Sequence, residues 1–182
     1  TKNRYNFTVS GYYNLVNDRI DLTSFRDTDG RWAQLYINTE KVDIAGVDIN
    51  ASAKYPCGLG IRVSYGYLHE FMCDGQMKFS STRPHSATAR IEYGKSWDNY
   101  VCSSDLYQFN LSLNGRALSK VETNKYVGNN PDEGTTGVTY PGYTMWNLTL
   151  TQGIWKGVSL NMAVNNIFNY VPSYYDANAP YT

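Results

Sequence analysis

Apolar and polar residues alternate strictly in segment after segment along almost the whole chain, and this pattern restricts the fold more than any other feature of the sequence. From Leu59 the odd positions are Leu59, Ile61, Val63, Tyr65 and Tyr67, and between them stand Gly60, Arg62, Ser64 and Gly66. Ala87, Ala89, Ile91 and Tyr93 alternate in the same way with Ser86, Thr88, Arg90 and Glu92, as do Tyr107, Phe109, Leu111 and Leu113 with Gln108, Asn110, Ser112 and Asn114. The pattern returns at Trp146, Leu148 and Leu150, and again at Val158, Leu160, Met162 and Val164. Tyr5, Phe7, Val9, Tyr13 and Leu15 give a first strand, and Val47, Ile49, Ala51, Ala53 and Tyr55 belong to a long second one beginning near Trp32. A side-chain period of two puts alternate residues on opposite faces of a strand, so each segment has one apolar and one polar face. The reading is all-β and antiparallel, with about seven strands near the 9–11 residues that a tilted strand needs to cross a bilayer.

Two architectures share this pattern: a water-soluble sandwich with its apolar faces packed together, and a membrane barrel whose apolar face meets lipid. Lys54, Arg62, Arg90, Glu92 and Arg116 all fall in the polar phase of strand interiors, which suits a water-filled lumen. The 17 tyrosines matter here as well, because Tyr55, Tyr67, Tyr93, Tyr107, Tyr143 and Trp146 lie near strand ends, where membrane interfaces favour amphipathic rings. Pro56-Cys57-Gly58 and the stretch 153–157 read as tight turns, whereas 72–84, 123–142 and the tail from Asn169 read as long loops. Short turns on one rim and long loops on the other is the arrangement of outer-membrane barrels. A barrel is the expectation, and the sandwich, as a secreted carbohydrate-binding module, is the alternative.

Other function classes find little support. Basic and acidic residues balance at 16 each, so no net field favours nucleic acid. No run approaches the roughly 18 apolar residues of a spanning helix. Thr1-Lys2-Asn3-Arg4 runs straight into strand pattern without the apolar region of a signal peptide, so either the protein is cytoplasmic or its start lies upstream. Cys57, Cys73 and Cys102 have neither metal-ligand spacing nor an even count for a disulfide framework. His69 and His85 are the only histidines, and no nucleophile, base and acid fall in a readable catalytic pattern, so neither an enzyme nor a resident cofactor or metal is expected.

Several motifs, in order, resemble the β-barrel of TonB-dependent receptors. Asn6-Phe7-Thr8-Val9-Ser10-Gly11-Tyr12-Tyr13-Asn14 followed by Asp18-Arg19-Ile20 is similar to a strand of that family carrying an aromatic-Tyr-Asn pattern before the loop. Gly46-Val47-Asp48, then Tyr55-Pro56, Gly58-Leu59 and Ser64-Tyr65-Gly66-Tyr67, then Arg83-Pro84-His85, continue the likeness, and Val164-Asn165-Asn166-Ile167-Phe168-Asn169-Tyr170 resembles its penultimate-strand signature. The resemblance implies residues 1–182 of a C-terminal barrel portion, about seven strands of a roughly 22-stranded barrel, without the plug domain, the energy-coupling TonB box or the last strand. It implies active uptake across the bacterial outer membrane of a scarce nutrient such as an iron chelate, haem or cobalamin. The implied partners are the lipid bilayer and, through the plug, the inner-membrane TonB complex. A passive porin is a further alternative.

Candidate substrate contacts are His69, Tyr126, Tyr140, Tyr174 and Tyr175. The tyrosines lie in or beside presumed outer loops, where rigid amphipathic rings suit ligand contact as well as loop packing. His69, with Met72 and Met77 nearby, has the chemistry of a haem ligand, although its odd phase puts it with Tyr67 on the lipid face. One stretch looks foreign: Val101-Cys102-Ser103-Ser104-Asp105-Leu106 is what one frame of a common sequencing-adapter end encodes (GTG TGC TCT TCC GAT CT). It stands where a short turn after Trp97 is expected. An ordinary polar turn is the alternative, and on either reading Cys102 carries no function.

Overall fold

The computed structural model describes residues 3–27, 29–72, 77–80, 82–97, 107–127, 131–155 and 158–171. Nine strands are present among them: β1 (Arg4–Arg26), β2 (Trp32–Lys54), β3 (Leu59–Met72), β4 (His85–Trp97), β5 (Tyr107–Leu118), β6 (Val121–Tyr126), β7 (Thr135–Tyr140), β8 (Tyr143–Trp155) and β9 (Val158–Val164). A single 3-10 turn, Pro131–Glu133, is the helical content described. Seven strands form one antiparallel sheet in the order β1-β2-β3-β4-β5-β8-β9, while β6 and β7 form a separate two-stranded ribbon. Each pairing in the large sheet joins strands consecutive in the chain, as in an up-and-down barrel wall, except that β5 pairs with β8 and the β6–β7 ribbon is inserted between them.

The register carries the alternation across the whole sheet. Val63 lies opposite both Ala51 and Ala89, Ile91 opposite Leu113, Leu113 opposite Leu148, and Leu148 opposite Val164, so one face is continuously apolar. On the other face Asn50, Ser64, Thr88 and Arg116 follow one another across four strands. No second sheet covers the apolar face: among the described residues only Val42 and Val121 are buried hydrophobics, while Phe7 is 69% and Leu160 45% exposed. Val63, Leu111 and Met162 are exposed too, and Leu59, Ile61, Leu113, Leu148 and Leu150 are half-buried. A sandwich would bury all of these, so that alternative fails.

Aromatic rings mark both margins of the apolar band. Tyr5 meets Tyr55 edge-on at 6.1 Å and Tyr93 meets Phe109 at 6.2 Å near the short-turn rim. Towards the other rim Tyr67 lies 4.9 Å from His85, and His69 4.4 Å from Phe71. From Tyr5 to Tyr13, or from Leu59 to Tyr67, an extended strand rises about 26 Å, close to the ~25 Å apolar band of such barrels.

Two expectations need correction. Most strands of the large sheet exceed the length of a single crossing, β9 with 7 residues excepted, and β1 and β2 reach 23 residues each, so their outer halves project beyond the wall as a ribbon. Asp18, in a left-handed conformation (φ 54°), interrupts the alternation where that ribbon leaves the wall. The stretch 123–142 is not simply a loop, because it contains most of the β6–β7 hairpin, whose short Thr- and Val-containing strands lack the length that makes alternation legible. The expected tight turns stand: Gly58 N–H donates to Tyr55 O at 3.1 Å, and β8 passes to β9 with a register shift between Gly153 and Trp155. Residues 101–106, Cys73 and the tail from 172, with Tyr174 and Tyr175, lie outside the described residues.

Candidate functional site: a polar wall and its outer rim

The polar face is built strand by strand from the residues that period two turns away from the apolar band. Low on this wall, near the short-turn rim, cations gather: Arg62 stands directly opposite Arg90 in the register, Arg116 lies one row above opposite Thr88, and Lys54 one row below opposite Gly60. Glu92 is the acid among them, and its carboxylate pairs with Arg90 Nε at 3.0 Å. Like charges directly opposite one another oppose sheet pairing, so this cluster costs stability unless water or an anion screens it. Ser52, Lys54, Gly60, Arg62, Arg90 and Glu92 line a shallow depression there.

Small residues let rings lie flat on the sheet. Tyr12 covers Gly46 on the polar face, where a Cβ would overlap its ring, and Trp146 covers Gly115 on the apolar face, with ring atoms 2.6 Å from where a Cβ would stand. The likeness of Gly46-Val47-Asp48 to a barrel motif thus has a local physical reason, the seating of an aromatic ring across the strand pair.

At the outer rim the polar face closes over a buried ionic cluster. Glu70 lies near the outer end of β3, beyond the aromatic margin at Tyr67, and its side chain is 4% exposed. Arg19 Nη1 from β1 and Lys78 Nζ each approach its carboxylate to 2.9 Å, and Ser80 Oγ donates to it at 3.1 and 3.2 Å. Burial alone pushes the Glu70 carboxyl up, but the hydrogen bonds and charges of Lys78 and Arg19 outweigh it and hold the group below the usual carboxylate range. A depressed carboxylate adds stability that is present above its unfolded value and disappears as the pH falls through the folded one. The cluster therefore holds at neutral pH and loosens only on strong acidification.

The sequence-derived candidates fall in separate places. His69 is exposed on the outward phase opposite Ala45, edge-on to Phe71. Tyr126 stands at the far end of the β6–β7 ribbon opposite Thr135, 5.5 Å from Phe79, and Tyr140 at its near end opposite Val121. His85 begins β4, and its Nδ1 lies 2.7 Å from Tyr65 Oη. Cys57 is a free, exposed turn residue. Glu70 and Lys78 were missed, because their meaning depends on what the fold brings to them and no local motif marks it, and Arg83 stood in the Arg83-Pro84-His85 likeness without a role. No group of His, Cys, Asp or Glu among the described residues is arranged to hold a metal ion.

One face for lipid, one for water, aromatic margins about a bilayer apart and short turns on one rim define the wall of an outer-membrane-type β-barrel. The chain belongs to the TonB dependent receptor-like β-barrel family, whose model matches residues 1–167. Comparison with curated proteins finds no match. Barrels of this family are transporters of the outer membrane that work with TonB.

Proposed function

We propose that this chain is part of the C-terminal wall of a receptor that takes up an anionic iron chelate or haem across the outer membrane. The observation that supports this cargo is the excess of cations on the polar face of the wall, Lys54, Arg62, Arg90 and Arg116 against Glu92 and Asp48. Ferric chelates and haem propionates carry negative charge, whereas cobalamin, the third candidate, gains less from such a wall. Among the described residues both outer edges of the sheet, on β1 and β9, are unpaired, which suits a segment of a larger barrel of roughly 22 strands. A plug domain, acted on by the inner-membrane TonB complex, would supply the coupling, while the present residues supply wall and loops. Tyr126 and Tyr140, with Tyr174 and Tyr175, are the proposed cargo contacts on the outer side. His69 is assigned to the aromatic girdle instead.

Two measurements test this reading. The full-length receptor is expected to partition with outer membranes and to migrate anomalously on gels unless heated; solubility without detergent would reject it. Replacing Arg62 and Arg90 together by Ala is expected to weaken uptake of an anionic chelate by about three- to tenfold, since each screened ion pair contributes at most about 1 kcal/mol. Cobalamin uptake, if present, should not change. For His69→Ala the haem Soret band and growth on haem are expected to stay unchanged; weakened haem binding would return His69 to the ligand set.

A further inference from the structure

The β6–β7 ribbon is joined to the wall through an interruption. Pairing between β5 and β8 stops at Leu118 opposite Tyr143, and pairing between β6 and β7 starts at Val121 opposite Tyr140. Between them Pro141 has no N–H to offer the ladder, and Ser119 turns away to β4, its N–H donating to His85 O at 3.0 Å and its Oγ accepting from His85 N–H at 3.1 Å. Arg83 grips both strands of this neck, donating to the carbonyls of Ser119 and Pro141, and its guanidinium lies 5.1 Å from the Tyr143 ring centroid. Tyr143 in turn stacks on Tyr170 at 5.0 Å. The neck is a fixed pivot at which the continuous sheet is broken.

Beyond the pivot the ribbon is held at a second place. Residues 77–80 lie between it and the wall as a strap. On one side Lys78 O accepts hydrogen bonds from Asn124 N–H at 2.6 Å, Thr123 Oγ1 at 3.0 Å and Asn124 Nδ2 at 3.2 Å, while Phe79 packs on Tyr126. On the other side Lys78 Nζ and Ser80 Oγ bind Glu70 of β3, which Arg19 of β1 also holds. Val121, Thr123 and Ser80 are buried, and the Glu70 side chain is 4% exposed.

We propose that the β6–β7 ribbon is a lid over the polar wall, pivoting at the Arg83 neck and latched to the barrel through the strap by Glu70. The latch is one carboxylate shared between two cations, so a single neutral substitution releases the strap without touching the pivot. The inference takes its setting from the transport reading above, but its test needs no cargo. In the full-length receptor in outer membranes, Val121→Cys places a thiol that is shielded while the lid is down, and its labelling by a membrane-impermeant maleimide is followed above the background of the parent. With Glu70→Gln added, labelling is expected to quicken by about tenfold or more, since a hydrogen bond to a charged group is lost. Lys78→Met should do the same, and heat-modifiable migration shows that the barrel stays folded. Equal labelling rates in folded receptors with and without Glu70→Gln and Lys78→Met would overturn the latch. Should Glu70→Gln fail to fold, the Lys78→Met comparison alone decides. Uptake assays fail or succeed separately, so loss of the latch and loss of the transport reading are told apart.

Discussion

Leu113→Arg is expected to destabilise the folded receptor by about 2–4 kcal/mol, and Asn114→Arg beside it by no more than about 1 kcal/mol, the cost of setting a like charge opposite Arg90. Leu113 sits about halfway along β5, opposite Ile91 and Leu148 in the apolar phase, so its replacement carries a guanidinium towards the middle of the hydrocarbon. Asn114 points to the polar face, opposite Arg90 and Asn147, where an added charge meets water. The pair differs by one position and by the face it occupies, so the contrast measures the phase of the sheet and not the tolerance of β5 for arginine. Denaturant unfolding of the receptor in lipid vesicles, followed by heat-modifiable migration, reads both values. Equal losses for the two would mean that the apolar face does not meet lipid.

Gly58→Ala is expected to cost about 3 kcal/mol, against about 1 kcal/mol for Gly30→Ala. Both glycines have positive φ, 94° and 73°, and share the backbone penalty for a side chain there. They differ in what surrounds them. A Cβ at Gly58 would overlap the carbonyl oxygen of Gly94 on β4, which cannot move without breaking the 3.0 Å bond from Gly94 N–H to Gly58 O. At Gly30, in the turn of the outer ribbon, nothing lies within 4 Å of such a Cβ. The same unfolding measurement checks this ordering, and equal costs would show that the β2–β3 turn does not dock on β4.

The sequence by itself determined the strands of the large sheet and the face each residue occupies. Period two is a local property, and Leu59, Ile61 and Val63 carry it without reference to any partner. The tight turn at Gly58 and the polar phase of Arg62, Arg90 and Arg116 were legible for the same reason. The order of aromatic and glycine motifs also carried the family, because barrel strands repeat local solutions to one membrane.

Only the tertiary structure decided which faces meet and where the chain closes on itself. Apolar-in and apolar-out sheets have the same alternation, and the exposed band, with no sheet laid over it, separates them. The extra length of β1 and β2 past Asp18 was obscured, because the polar run Asn17-Asp18-Arg19 breaks the alternation that a reader follows while the pairing continues in one register. The β6–β7 ribbon was hidden by short strands among loop-like residues, and its place against the wall is set by contacts with residues 77–80. Glu70 shows the limit most clearly: Arg19 comes from a strand 51 residues away in sequence, and Lys78 from beyond the end of β3. A lone Glu near a strand end reads as solvated, and it becomes a latch only when folding withdraws it from water and places two cations within hydrogen-bond reach, a property of distance in space that no local pattern encodes.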